Sequence, residues 1–170
     1  MSEIVNKVEE SGIVTVDLTD YLPHDPITEL DIAPQLWQGM ILKEKEFRHW
    51  VKETNWEEFR GHHLALFCSA DAIVPVWAYM LIATATFGIT SGTHLGKMVN
   101  VKETLLESAI TQLDTSEFEG KRIMIKGCGE GIPERVYLTF VAQVQGVALT
   151  IMYGEPCGAV PLWKKPRNRT

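Results

Sequence analysis

From residue 63 onward the sequence alternates strand-like and helix-like segments, and this alternation constrains the fold more than any other feature. Short apolar runs at 63–67, 121–126 and 147–153 have the length of buried strands. The segments 75–87 and 133–145 each start with a proline, which is tolerated in the first turn of a helix, and both are predicted as helices. Alternation of this kind predicts βαβ units with right-handed crossovers. We therefore expect an α/β fold with a mostly parallel sheet flanked by helices.

The first third of the chain has a different pattern. Glu3 to Glu10 and about Leu36 to Thr54 show helical periodicity, and Ile13 to Leu18 alternates apolar and polar residues as a strand does. The segment from Tyr21 to Pro34 carries three prolines and is predicted as a loop. An N-terminal helix-strand-helix layer is expected from this order.

Length and charge limit the classes of protein to consider. At 170 residues the chain is predicted to be a single α/β domain over 1–170, with about 1–60 as an appended layer on the same core. The formal net charge of −6 argues against nucleic acid and against an anionic membrane surface as partners. The N-terminus does not resemble a signal peptide, so a cytoplasmic location with reduced cysteines is expected.

Three cysteines are the main candidates for chemistry. Cys68, Cys128 and Cys157 each follow an apolar strand-like run, and each is followed within a few residues by a proline. The carboxyl ends of the strands in an open α/β sheet share one rim, and ligands bind there. Three thiols that are far apart in sequence are therefore expected to meet at that rim.

A metal site is the leading interpretation of these cysteines. Thiolates bind zinc and iron–sulfur clusters, and zinc is favoured because it accepts mixed nitrogen, oxygen and sulfur ligands. Asp71 is the first choice for a fourth ligand, with Glu130, Glu155 or a histidine as alternatives in or near the same loops. The chain lacks a close C-x-x-C pair, so the prediction depends on the fold bringing the strand ends together.

Two other interpretations remain open. The chain is alternatively a non-catalytic dimeric binding module that holds a small molecule or anion at helix N-termini, with the cysteines merely packed. The residues predicted to contact such a ligand are Ser69, Gly127, Gly129 and Glu155. A cysteine-based redox or transfer enzyme is the third hypothesis, with Cys128 as the nucleophile in an open Gly-Cys-Gly turn.

Histidines are given no central role by the sequence pattern. His62 and His63 precede a strand, so one side chain is expected to point inward and the other outward. A solvated pair is the simpler interpretation of these two residues. No partner for His94 is indicated.

Several segments resemble a known family. CSADAIVPVWAYM, IKGC and GEPCGAVPLWKK, together with EIVNKVEESG and LKEKEFR, are similar to segments of an uncharacterised bacterial family, a domain of unknown function common in the Bacteroidetes group. The resemblance extends over nearly the whole chain and implies a single α/β domain in a cytosolic protein. It implies no activity, substrate or cofactor.

Overall fold

Strands and helices alternate through residues 12–127, 131–155 and 158–166, which are the residues that this computed structural model describes. The strands are β1 (Ile13–Val16), β2 (Ile27–Asp31), β3 (His63–Phe67), β4 (Gly92–Leu95), β5 (Arg122–Ile125), β6 (Thr150–Tyr153) and β7 (Val160–Lys164). The α-helices are α1 (Glu44–Glu53), α2 (Val76–Ala85), α3 (Met98–Thr111) and α4 (Glu134–Val144). The helix predicted over Glu3 to Glu10 lies outside the described residues.

Parallel pairing dominates, which confirms the α/β fold class. A four-stranded sheet has the order β1-β5-β6-β7, and a three-stranded sheet has the order β2-β3-β4. Every pair is parallel except β6 with β7, which is antiparallel. The strands thus belong to two sheets, each with helical crossovers between its parallel strands.

The chain divides into two compact units along these sheets. The first unit comprises Met1–Leu22 and Leu105–Thr170, and the second comprises Pro23–Thr104. The second unit is therefore inserted in sequence between β1 and most of α3. Strand β1 belongs to the four-stranded sheet and β2 to the three-stranded one. The organisation of 1–170 as one domain with a layer at 1–60 stays a prediction.

The core of the first unit lies between its sheet and its two helices. Ile123 and Ile125 of β5 and Ile151 of β6 belong to the buried cluster, and the helices supply apolar residues at spacings of three and four. Full burial of such a side chain stabilises the fold by about 1.5–3 kcal/mol relative to exposure. The buried cluster includes Leu106, Ile110, Phe118, Ile123, Ile125, Val136, Phe140, Val144 and Ile151.

The second unit has a matching core of its own. Leu64 and Leu66 of β3 belong to one buried cluster with residues of both α1 and α2, so both helices cover the same face of the sheet. Crossovers of the same hand between strands in sequential order produce this arrangement, and such connections are right-handed in nearly all folds. The helical members of the cluster are Phe47, Val51, Ala78 and Ile82.

The two units repeat one chain plan. Each runs through a strand, a 3-10 turn, an α-helix, a second 3-10 turn, a strand, a helix preceded by proline, and a further strand. The order is β1, α3, β5, α4, β6 in the first unit and β2, α1, β3, α2, β4 in the second. The registers correspond, since Ile13 pairs with Arg122 as Ile27 pairs with His63.

Glycines at equivalent positions support the repeat. Gly61 and Gly120 follow the second 3-10 turn with φ of 72° and 67°. Their N–H groups donate to the carbonyls of Ile89 and Val147, which lie before the third parallel strand of each unit. Gly96 and Gly154 end the third parallel strand with φ of 120° and 121°. Such φ values favour glycine strongly, because a Cβ atom is strained there. The similarity between the two units therefore extends over three parallel strands and two helices in each.

Strand β2 was missed, because the segment from Tyr21 to Pro34 was predicted as a loop. Pro26 precedes the strand and Pro34 follows it, and β2 is an edge strand with β3 as its neighbour. Prolines are compatible with the ends of an edge strand because no sheet hydrogen bond is lost there. The carbonyl of Pro26 still accepts from His63 N at 2.8 Å.

The helix predicted from Leu36 begins later, at Glu44. Gln38 and Gly39 adopt φ of 51° and 70°, which no α-helix contains. Trp37 N donates to the carbonyl of Ile41 at 2.7 Å and closes a turn in place of a helical repeat.

Strand β4 ends at Leu95, and α3 begins at Met98. Strand β7 was not predicted at all, since Pro161 lies within it and interrupts the expected pattern.

Candidate functional site

Cys68 lies directly after β3, as predicted, at the carboxyl edge of the second sheet. Its side chain is half-buried, and the Sγ atom donates to the carbonyl of Ala70 at 3.6 Å. Asp71, three residues on, is exposed. The loop therefore presents one partly accessible thiol and one solvated carboxylate.

Ser69 is held by an acid that the sequence pattern did not single out. Ser69 N donates to Asp31 Oδ1 at 3.0 Å, and Ser69 Oγ donates to Asp31 Oδ2. Ala33 N donates to the same carboxylate at 2.9 Å. Asp31 was missed because it closes β2, which was predicted as loop. The assignment of Ser69 to a ligand stays a prediction, since both of its donors are engaged by Asp31.

These contacts lower the pKa of the Asp31 carboxyl group. Desolvation acts to raise the pKa, but the hydrogen bonds from Ser69 and Ala33, with the positive charge of Lys97, outweigh it. The carboxylate is therefore charged at neutral pH and fixes the start of the Cys68 loop to the end of β2.

The first unit has an acid at the equivalent position. Asp17 accepts from Thr19 N at 3.0 Å and from Thr19 Oγ1 at 2.6 Å, and Lys126 Nζ lies 3.4 Å from its Oδ2. The side-chain and backbone hydrogen bonds of Thr19 are the main causes that lower the pKa of Asp17, with Lys126 as a further one. Lys126 follows β5 directly, so this ion pair connects the ends of β1 and β5.

Gly127 is the last described residue before the second cysteine. Tyr153 Oη donates to the carbonyl of Gly127 at 3.3 Å, and a Cβ atom at position 127 would lie 3.0 Å from the Tyr153 ring. The ring of Tyr137 packs edge-on against Tyr153 with centroids 5.8 Å apart. A side chain at 127 would therefore force the Tyr153 ring to shift.

Cys128, Gly129, Glu130 and Cys157 lie outside the described residues. Their flanking strands are described: Ile125 pairs with Tyr153, so β5 and β6 end side by side. Cys128 is three residues beyond the first strand end and Cys157 four beyond the second. Glu155, an exposed residue, lies between Tyr153 and Cys157.

Two histidines form a pair that sequence reasoning missed. His63 Nδ1 and His94 Nε2 lie 3.1 Å apart on the neighbouring strands β3 and β4. Gly92 leaves the space for them, since a Cβ atom there would lie 2.7 Å from His94 Nε2. Burial first, and the neighbouring His63 second, lower the pKa of His94. His62 is separate and lies 2.8 Å from Thr28 Oγ1 through its Nδ1 atom.

The spacing of the strands explains why this pair escaped notice. His63 and Gly92 are register partners, and His94 is two residues further along β4 on the same face. The contact between His63 and His94 could have been identified from the sequence only if the start of β4 at Gly92 had been known.

Within the described residues, no three or more His, Cys, Asp or Glu side chains are grouped so as to hold a metal ion. Cys68 and Asp71 therefore do not form a three-ligand site with other described residues of these types. Among the same residues, no helix combines the length and the apolar character needed to cross a membrane.

The chain belongs to the family described as protein of unknown function DUF2480, whose profile matches residues 2–165. The match covers nearly the whole sequence and confirms the expectation of a domain of unknown function. No curated protein and no solved structure matches the chain at the significance applied.

Proposed function

We propose that this protein binds a metal ion, zinc in the first place, through the thiolates of Cys128 and Cys157, with Cys68 as the third predicted ligand. One observation carries the proposal. The hydrogen bond from Tyr153 Oη to the Gly127 carbonyl joins the residue before Cys128 to the strand end that leads to Cys157. Both segments therefore start from one place at the carboxyl edge of the first sheet, where α/β folds bind ligands.

Chain length supports this pairing of thiols. Ile125 and Tyr153 are register partners, and strands in a sheet are about 4.8 Å apart. The three residues from Ile125 to Cys128 span at most roughly 10 Å, and the four from Tyr153 to Cys157 span at most roughly 14 Å. Two thiolates on one zinc ion lie within about 4 Å of each other, because each Zn–S bond is about 2.3 Å. Such short segments reach this separation without crossing the sheet.

Glu155 supplies a carboxylate in the segment that leads to Cys157, and zinc accepts oxygen ligands beside sulfur.

The ligand set favours zinc over an iron–sulfur cluster. The chain has three cysteines in total, whereas [2Fe–2S] and [4Fe–4S] clusters are held by four thiolates in their common form. A zinc site completes its four positions with carboxylate, histidine or water. The proposal requires reduced thiols, and the cytoplasm is the compartment in which they persist.

Metal analysis of the full-length protein tests the proposal. The protein is purified untagged, without chelators and under low oxygen, and its metals are quantified by mass spectrometry. We expect about one zinc per chain, lost in Cys128→Ser and in Cys157→Ser. Circular dichroism checks that both variants remain folded.

Cys68→Ser is the matched comparison. Retention of zinc in this variant limits the site to the two cysteines of the first unit, and loss of zinc adds Cys68 as a ligand. If the analysis finds iron together with acid-labile sulfide, the protein binds an iron–sulfur cluster and not zinc. A chain without metal, with three thiols that react freely in the native state, would contradict the proposal and favour the anion-binding module.

A further inference from the structure

Helix α2 carries large apolar side chains on its exposed face as well as on its buried one. Ala78 and Ile82 are buried in the core of the second unit, whereas Val76 and Met80 are 71% and 58% exposed. Phe87, just beyond the helix, is 90% exposed. The helix contains no charged residue. We call Val76, Met80 and Phe87 the α2 stripe.

The stripe lies beside a sheet edge that no described strand covers. Strand β4 ends the order β2-β3-β4, and Leu95 at its end is 69% exposed. A groove of about 200 Å³ lies between α2 and β4, with Met80 and Leu95 in its lining. Charged residues or prolines normally prevent an edge strand from pairing with another chain. Strand β2 has Glu29 within it and Pro26 directly before it, whereas β4 contains neither a charged residue nor a proline.

The repeat shows how the same edge is treated in the first unit. Strand β6, the equivalent of β4, is covered by the antiparallel strand β7, and Trp163 of β7 packs against the core. In the equivalent helix α4 and its end, Glu134 and Gln145 occupy the positions of Val76 and Phe87. These two stripe positions are thus apolar only in the unit whose edge lacks a covering strand among the described residues.

We propose that a second copy of this chain covers this edge, with the β4 strands of two protomers paired antiparallel about a two-fold axis. An antiparallel neighbour matches the β6–β7 geometry observed in the first unit. An axis that makes two adjacent strands antiparallel stands perpendicular to the sheet, so the helices of both protomers lie on the same face. The α2 stripe of one protomer then lies beside that of its partner.

Charge makes a second copy the best occupant. In a two-fold interface the same patch of both protomers is in contact, so a charged residue near the axis would lie beside the same charge of the partner and repel it. The chain carries a net charge of −6, but α2 and β4 contain no charged residue. Four apolar side chains from each protomer, the stripe and Leu95, leave water on association.

The test measures the mass of the full-length protein by sedimentation from about 1 to 100 μM, across the range of typical dimer affinities. We expect twice the 19.1 kDa of one chain. The double variant Val76→Glu/Phe87→Gln introduces the residues of the first unit, and we expect dimerisation to weaken at least tenfold. Leu138→Lys is the control, since Leu138 occupies the position of Met80 in α4 and is 72% exposed. This control is expected to remain a dimer.

Hydrogen exchange separates β4 pairing from helix contact alone. The outward amides of Gly92–Leu95 should be protected in the wild type and exchange faster in the double variant. A monomer at every concentration, or a dimer unchanged in the double variant, would overturn the proposal. So would β4 protection in a monomer that disappears when residues 2–11 are deleted, because the chain itself would then cover the edge.

Discussion

His63 and His94 face each other across β3 and β4, with Nδ1 and Nε2 3.1 Å apart. At this distance one nitrogen donates a hydrogen bond and the other accepts it. Burial and the neighbouring ring of His63 both disfavour the charged form of His94 and lower its pKa.

Because of this pair, the free energy of unfolding should decrease as the pH is lowered. Burial and His63 lower the pKa of His94 below its ordinary value of 6.5, so the unfolded chain binds a proton at a higher pH than the folded one. The free energy of unfolding therefore decreases as the pH drops below about 6.5, by less than about 1.4 kcal/mol per pH unit for one proton, and levels off below the folded pKa. Urea titrations between pH 5 and 8 measure the slope. His94→Gln should flatten it and the exposed His49→Gln should not, whereas equal slopes in all three proteins would contradict the assignment.

Gly127→Ala should destabilise the first unit. A methyl group at 127 would lie 3.0 Å from the ring of Tyr153, which is itself packed against Tyr137. Overpacking of this kind costs about 1–3 kcal/mol, measured as the shift of a denaturation midpoint. Gly146→Ala is the control, because no atom lies within 4 Å of its added Cβ. An unchanged midpoint for Gly127→Ala would show that Tyr153 can move aside.

Asp31→Asn should loosen the Cys68 loop. The substitution removes the charge that accepts from Ser69 and Ala33, and partial exposure limits the loss to about 1 kcal/mol. Because the pKa of Asp31 is lowered, its contribution is present above the unfolded value of 3.8 and is lost as the pH falls through the folded value. Hydrogen exchange at Ser69 N reports the loss directly. Asp17→Asn, at the equivalent position, should leave the Ser69 exchange rate unchanged.

Equivalent glycines should respond alike. Gly61 and Gly120 have φ of 72° and 67°, and neither has an atom within 4 Å of an added Cβ. Substitution by alanine therefore costs backbone strain without a clash, about 1–2 kcal/mol in each case. Thermal or urea denaturation of the two single variants tests this. Costs that differ by more than about 1 kcal/mol would argue against the equivalence of the two units.

The fold class could be predicted because the hydrophobic periodicity of strands and helices is visible within short segments of the sequence. His63 to Phe67 was placed to the residue, and α2 and α4 to within two residues at each end. The division into two sheets could not be predicted in this way. Which strands pair is decided by long-range register, such as Ile13 with Arg122, and no local pattern encodes it.

The candidate site was predictable only in part. The placement of Cys68 after β3 followed from the strand pattern, and so did the position of Gly127 after β5. Asp31 and His94 were missed for a common reason, since each depends on an edge strand whose bounds the pattern did not give. The meeting of the three cysteines stays a prediction, because Cys128 and Cys157 lie outside the described residues.

The insertion of one unit into the other sets the order in which the chain can fold during synthesis. Strand β1 leaves the ribosome first, yet its neighbour β5 follows only after all of Pro23–Thr104 has been made. The strands β2, β3 and β4 of the second unit follow one another in sequence. All three are therefore synthesised before β5, the pairing partner of β1. Nascent chains arrested once all of Pro23–Thr104 has emerged from the ribosome should therefore already hold a protease-resistant second unit, while β1 is still unpaired.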